Sequence, residues 1–173
     1  MTKNKTHPFV NFTHSAGAAR VLLQKAHDEG SLIEGLVLYA SSVDALLRNL
    51  VALKTGIPTR KGVISLDPRY FYHDDTKWMN ERDIYKKAAE HKIITTREYE
   101  QLGKLYDFRN LVIHRFIISG ITYSDIAPKL VQYERLFNKL YAKLKKIEQP
   151  QEPKDLSDEE RADVFRRIAD KLS

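Results

Sequence analysis

The chain has 173 residues, 42% hydrophobic and 30% charged, which suits one globular domain with a true core and a short appendage. Its net charge of +6, from 29 Lys+Arg against 23 Asp+Glu, is compatible with a polyanionic partner such as RNA without demanding one. The absence of cysteine excludes disulfides and thiolate zinc sites. No apolar run of roughly 20 residues stands out as a membrane span, and the opening MTKNKTHPFVNFTH has no signal-peptide pattern, so the expectation is a cytoplasmic protein without membrane association.

Residues 1–14 read as a flexible N-terminus. A first helix is expected from Ser15 to Asp28, with Val21, Leu22 and Ala26 on its apolar side and Gly30 ending it. The second opens with Ser31 and Glu34 spaced as a capping box and runs to about Lys54. Leu36, Val43, Leu46, Leu47, Leu50 and Leu53 form its buried stripe. Residues 57–79 carry no helical period and read as an irregular insertion. A third helix is expected from near Asn80 to Lys92, and a fourth starts at a second capping box, Thr95 and Glu98, and runs to about Phe116 before Gly120. Pro128 suits the first turn of a fifth helix. Leu130, Tyr133, Phe137, Leu140, Leu144 and Ile147 alternate steps of three and four along it, the seam of a bundle helix. After a linker at 149–156, a C-terminal helix over 157–173 has a capping box at Ser157 and Glu160 and a stripe of Val164, Phe165, Ile168 and Leu172. The fold class is therefore all-α: an antiparallel bundle of about five helices over residues 15–148, with a tethered amphipathic helix.

Within the fourth helix the run FRNLVIHRF, residues 108–116, interrupts an apolar pattern with polar side chains. Leu111, Val112, Ile113, Phe116, Ile117 and Ile118 read as core. Asn110 and His114 are four apart and share a face, which Asp107 joins. Arg109 precedes His114 by five residues, about 140° off alignment, so the two heads meet only on a flank or across a dimer axis. The residue types suit phosphodiester cleavage without a metal. Histidine moves protons near neutral pH, arginine stabilises charge on phosphate oxygens, and asparagine orients a ligand or the imidazole. A plainer reading is also open: Arg109 pairs with Asp107 or Glu98, and His114 is a hydrogen-bonded residue at a helix end.

Arg109, Asn110 and His114, late in a helical bundle, resemble the signature of the HEPN domain family (higher eukaryotes and prokaryotes nucleotide-binding), in which an arginine is followed after four to six residues by a histidine. The resemblance covers roughly residues 15–147. It implies a metal-independent endoribonuclease without cofactor, often a toxin or antiviral effector, acting on RNA as a homodimer whose two Arg–His sets line one cleft. It also implies a possible antitoxin or nucleotidyltransferase partner. Some members are inactive, so the alternative is a non-catalytic interaction or nucleotide-binding module. In the subgroup paired with nucleotidyltransferases the motif ends His-x-Tyr, and the tyrosine can be nucleotidylated. Here Phe116 holds that place and cannot accept a nucleotide.

Other constellations are weaker. Arg69, Tyr70, Phe71, Tyr72, His73 and Trp78 interleave aromatic and basic groups. Arg69 and Tyr72 are candidates for binding single-stranded RNA, although rings that cover the bundle explain the stretch as well. His73, Asp74 and Asp75 are too close in sequence to converge on one ion. Arg135, Lys139, Lys143 and Lys146 form a basic stripe that suits a phosphate track or a solvated face. Asp44 and Arg48 read as a surface i,i+4 pair, with Asp44 a further candidate to orient Arg109 or His114 if the second and fourth helices touch. The C-terminal helix suits docking into a partner's groove.

Overall fold

A computed structural model of the chain describes residues 8–58, 64–65, 67–71 and 79–148. It contains the helices α1 (Pro8–Asp28), α2 (Leu32–Thr55), α3 (Glu81–Glu90), α4 (Thr96–Ser119) and α5 (Tyr123–Glu148). Between α2 and α3 lie a two-rung antiparallel pair, Ile57–Pro58 with Ile64–Ser65, and a 3-10 turn at Pro68–Tyr70. The chain is an all-α bundle.

α2 is the axis of that bundle and packs against each of the other four helices. Its buried set is wider than one stripe: Leu36, Ala40, Val43, Leu47, Val51 and Ala52 are all fully enclosed. Leu53 is only partly buried and packs at the edge of the core. By length and hydropathy alone α2 meets the requirement of a membrane span, contrary to the sequence expectation that no such run is present. Neighbours on several sides account for that apolar content, because each contact asks for its own apolar stripe and little of the helix is left to face water.

The ends of the elements follow local chemistry. At the start of α4, Thr95 Oγ1 accepts from the Glu98 N–H at 3.2 Å, and Glu98 Oε2 accepts from the Thr95 N–H at 2.8 Å, so this capping box is formed. The expected box at Ser31 is not: its side chain makes no cap bond. The Ser31 N–H instead donates to the Ala26 carbonyl at 2.8 Å across Gly30, whose φ of +66° closes a tight backbone-only turn. Gly120, at φ +70°, ends α4 in the same left-handed region.

Further expectations are corrected. α1 begins at Pro8, not Ser15, and turns Val21 (70% exposed) and Leu22 to solvent while Ala26 is buried. α5 begins at Tyr123, so Pro128 lies in its second turn, not its first. Thr122 opens that helix by donating its N–H and hydroxyl to Asp125 Oδ2 at 2.8 and 2.7 Å. The α5 seam buries Tyr133, Leu136, Leu140 and Leu144, but Ile147 is exposed. The largest departure is in α4. Of the apolar run expected in the core, Val112 is buried and Phe116 packs against the core, whereas Leu111, Ile113, Ile117 and Ile118 are exposed, the last two at 96% and 81%.

Candidate functional site

The centre of α4 is tied to the first turn of α3. Asn80 caps α3 by accepting the Asp83 N–H on its side chain at 2.9 Å, which sets Glu81 in the first helical turn, where the helix dipole favours a carboxylate. Glu81 then accepts from Arg109 Nη1 at 2.7 Å and Nη2 at 2.6 Å, a two-pronged pair. The two side chains are only 12% and 18% exposed. Asn110 Oδ1 accepts from Arg109 Nε at 3.2 Å and Nη2 at 2.9 Å. The guanidinium also lies 4.8 Å from the centre of the Tyr106 ring, which carries Arg82 at 5.1 Å. Arg82 is ion-paired with Asp107.

The expected stripe of Asp107, Asn110 and His114 therefore has two engaged members. His114 is exposed and makes no hydrogen bond or ion pair within the described residues. It sits immediately before Arg115, whose φ of −139° and ψ of 18° break the helical path inside α4. Beyond that kink come the exposed Ile117 and Ile118, with Ile113 one turn earlier. Tyr123, at the start of α5, is exposed and lies 6.2 Å from Phe116 between ring centres.

A second polar layer lies behind the Arg109–Glu81 pair. Arg48 Nε donates to Asp44 Oδ2 at 2.7 Å, and Arg48 Nη2 and Nη1 donate to the Met79 and Tyr70 carbonyls at 2.8 and 3.4 Å. The pair is partly buried, not a surface pair, and ties the second half of the insertion, at Tyr70 and Met79, to α2. Asp44 Oδ1, Tyr85 Oη and Tyr133 Oη are buried without a hydrogen-bond partner among the described residues. Burial raises the Asp44 carboxyl above its usual range; Arg48 opposes this, the Glu81 charge adds to it, and Arg109 opposes it. Burial likewise pushes the Tyr85 and Tyr133 hydroxyls far up, so both stay neutral. For Arg109 burial works against the charge, but the Glu81 hydrogen bonds and charge outweigh it and hold the guanidinium firmly cationic.

The structure brings Arg109 and Asn110 into one cluster and leaves His114 one turn away on the Asn110 face. Arg109 pairs with neither Asp107 nor Glu98, the partners expected from spacing. Glu98 is taken by Thr95 and Lys139. Glu81 went unnoticed in the sequence, where only its place behind a capping asparagine marks it. Asp44 makes no hydrogen bond to Arg109, although it lies within reach of that charge. Arg69 is exposed and spent on Asp67 at 2.6 Å, well removed from the α4 network in its bonding. Tyr72, His73 and Trp78 lie outside the described residues, as does the helix expected at 157–173. Tyr70 is buried and Phe71 packs on the core, so these two rings cover the bundle. In the basic stripe, Lys139 pairs with Glu98 and Lys143 donates to the Ile93 carbonyl, so it stitches α5 to the α3–α4 connection. A cleft between α1, α2 and α5, lined by His27, Tyr39, Leu130 and Glu134, contains none of the candidate residues. Among the described residues no three His, Asp or Glu side chains gather as metal ligands.

No family model matches the chain, and no characterised protein or solved structure matches it either.

Proposed function

We propose that the protein is a metal-independent endoribonuclease of the HEPN type that cleaves single-stranded RNA as a homodimer and serves as a toxin or defence effector. The observation that carries this reading is the state of His114. It is exposed and without a bonding partner among the described residues, four residues after an asparagine held by a partly buried arginine, and bordered by Ile113, Ile117 and Ile118 on the surface. Contiguous exposed apolar side chains of this kind favour association, and a two-fold contact here sets two His114 side chains near one cleft. One imidazole takes the proton from a ribose 2′-hydroxyl as its oxygen attacks phosphorus, and the other protonates the departing 5′-oxygen. The products are a 2′,3′-cyclic phosphate and a 5′-hydroxyl. Arg109 supplies positive charge behind the phosphate.

The test is incubation of purified protein with single-stranded RNA in EDTA. Cleavage that leaves 2′,3′-cyclic phosphate ends and is lost in His114→Ala, with the helical spectrum unchanged, supports the reading. Full activity in that variant removes His114 from the chemistry. The second reading, a non-catalytic HEPN-like module, is favoured by the closure of Arg109 on Glu81, which engages the guanidinium in an ion pair within one chain. It predicts no cleavage, no growth arrest on expression, and a stable complex with an antitoxin or nucleotidyltransferase partner.

A further inference from the structure

We infer that the donor on this face that contacts phosphate is the side-chain amide of Asn110, and that Arg109 and Glu81 are positioning residues acting through it. This rests on reading the Asn110–His114 face as phosphate-handling.

A carboxamide can point either its oxygen or its nitrogen at a neighbour, and only the surrounding donors decide which. Here the neighbour is a cation. Arg109 Nε and Nη2 both donate to Asn110, so Oδ1 must face the guanidinium. The opposite orientation sets the amide's own N–H groups against two N–H donors of a positive ion. The Nδ2 group, with two N–H donors, is thereby turned away from Arg109, and it has no hydrogen bond within the described residues. Asn110 is half-buried, and it stands one helical turn before the exposed His114 on the same face.

Arg109 is the less suitable first contact. A guanidinium has five N–H donors. Glu81 takes one from Nη1 and one from Nη2, and Asn110 takes Nε and the second from Nη2, so four are committed. The side chain is also only 12% exposed. The chain of bonds from Glu81 through Arg109 to Asn110 instead fixes the amide and polarises it. An amide whose oxygen accepts from a cation is a better donor through its nitrogen. It meets a phosphodiester oxygen already oriented, as preorganised donors do.

The experiment uses the whole chain and a 2′-O-methyl oligoribonucleotide, which cannot be cleaved. Side-chain amide signals are followed by 15N–1H correlation NMR during titration. The Asn110 pair is expected to shift with binding. Asn110→Asp keeps an acceptor for Arg109 but turns the donor into a repelling anion, and is expected to weaken binding about tenfold or more. Arg109→Lys and Glu81→Gln are expected to move the Asn110 signal in the free protein, which loss of stability alone does not do, and to weaken binding less. Binding without a shift of the Asn110 pair overturns the inference, as does unchanged affinity in Asn110→Asp or no binding to the wild-type protein. Binding through Asn110 with no cleavage of ordinary RNA sinks the nuclease reading and leaves this one standing. Cleavage by Asn110→Asp at the wild-type rate and KM does the reverse.

Discussion

Glu81, in the first turn of α3, holds the Arg109 guanidinium of α4 by two hydrogen bonds of 2.7 and 2.6 Å, with both side chains mostly shielded from water. Such a pair contributes little against an apolar replacement, yet removal of one partner strands a charge. Glu81→Ala is therefore expected to lower unfolding free energy by about 3 kcal/mol. Glu81→Ala combined with Arg109→Met is expected to lose clearly less. Urea unfolding with an unchanged m-value measures both. Equal losses in the single and double variants contradict the pairing.

The buried hydroxyls of Tyr85 and Tyr133 lead to the opposite sign. Neither has a hydrogen-bond partner among the described residues, and both side chains are fully enclosed. Removal of an unpaired buried hydroxyl relieves a desolvation cost, so Tyr85→Phe and Tyr133→Phe are each expected to be neutral or to stabilise by up to about 1 kcal/mol. A loss of that size in thermal or urea unfolding shows instead that the hydroxyls are satisfied in solution.

Asp44 makes stability fall as pH rises. Burial, opposed by Arg48, raises its folded-state pKa above the ordinary value of about 3.9. Between that value and the raised one, the folded protein binds more protons than the unfolded chain, so this group's contribution declines with rising pH. Asp44→Asn carries no titrating proton and removes that slope. The difference between variant and wild type is expected to shift in favour of the variant as pH rises above the ordinary carboxylate value of about 3.9. Glu98 acts in the opposite direction. Its burial is outweighed by bonds from Lys139 and Thr95, so its pKa is lowered and its contribution is lost as pH falls. Parallel pH curves for wild type and Asp44→Asn contradict the account.

Ile117 and Ile118 contribute almost no burial to the single chain. Ile117→Glu and Ile118→Glu are expected to change its unfolding free energy by no more than about 0.5 kcal/mol. Under the homodimer proposal, sedimentation shows wild-type dimers and variant monomers, and RNA cleavage falls with the dimer. A monomeric wild type, or dimers that survive both substitutions, removes this face as the contact.

Much of the bundle was legible because its signals act within one or two turns. Thr95 and Glu98 lie three residues apart and form their box whatever surrounds them, and Gly120 ends α4 because glycine enters the left-handed region at little cost. The steps of three and four from Leu130 to Leu144 marked the inner side of α5. The shared face of Asn110 and His114 also followed from spacing, and the structure retains it.

Spacing could not supply the partners. Ser31 and Glu34 had the pattern of a box, but Gly30 turned the backbone so that Ser31 bonded Ala26 instead. Ile113, Ile117 and Ile118 had the composition of core, yet periodicity marks which side of a helix is apolar, not whether another element covers it. Arg109 had Asp107 and Glu98 nearby in sequence and chose Glu81, 28 residues earlier. Caps and periods are short-range, so the sequence alone determined the five helices, the cap of α4 and the inner side of α5. The Glu81–Arg109–Asn110 cluster and the bare end of α4 were decided by the packing of α3 and α4 around α2, because that packing sets which charges lose water together.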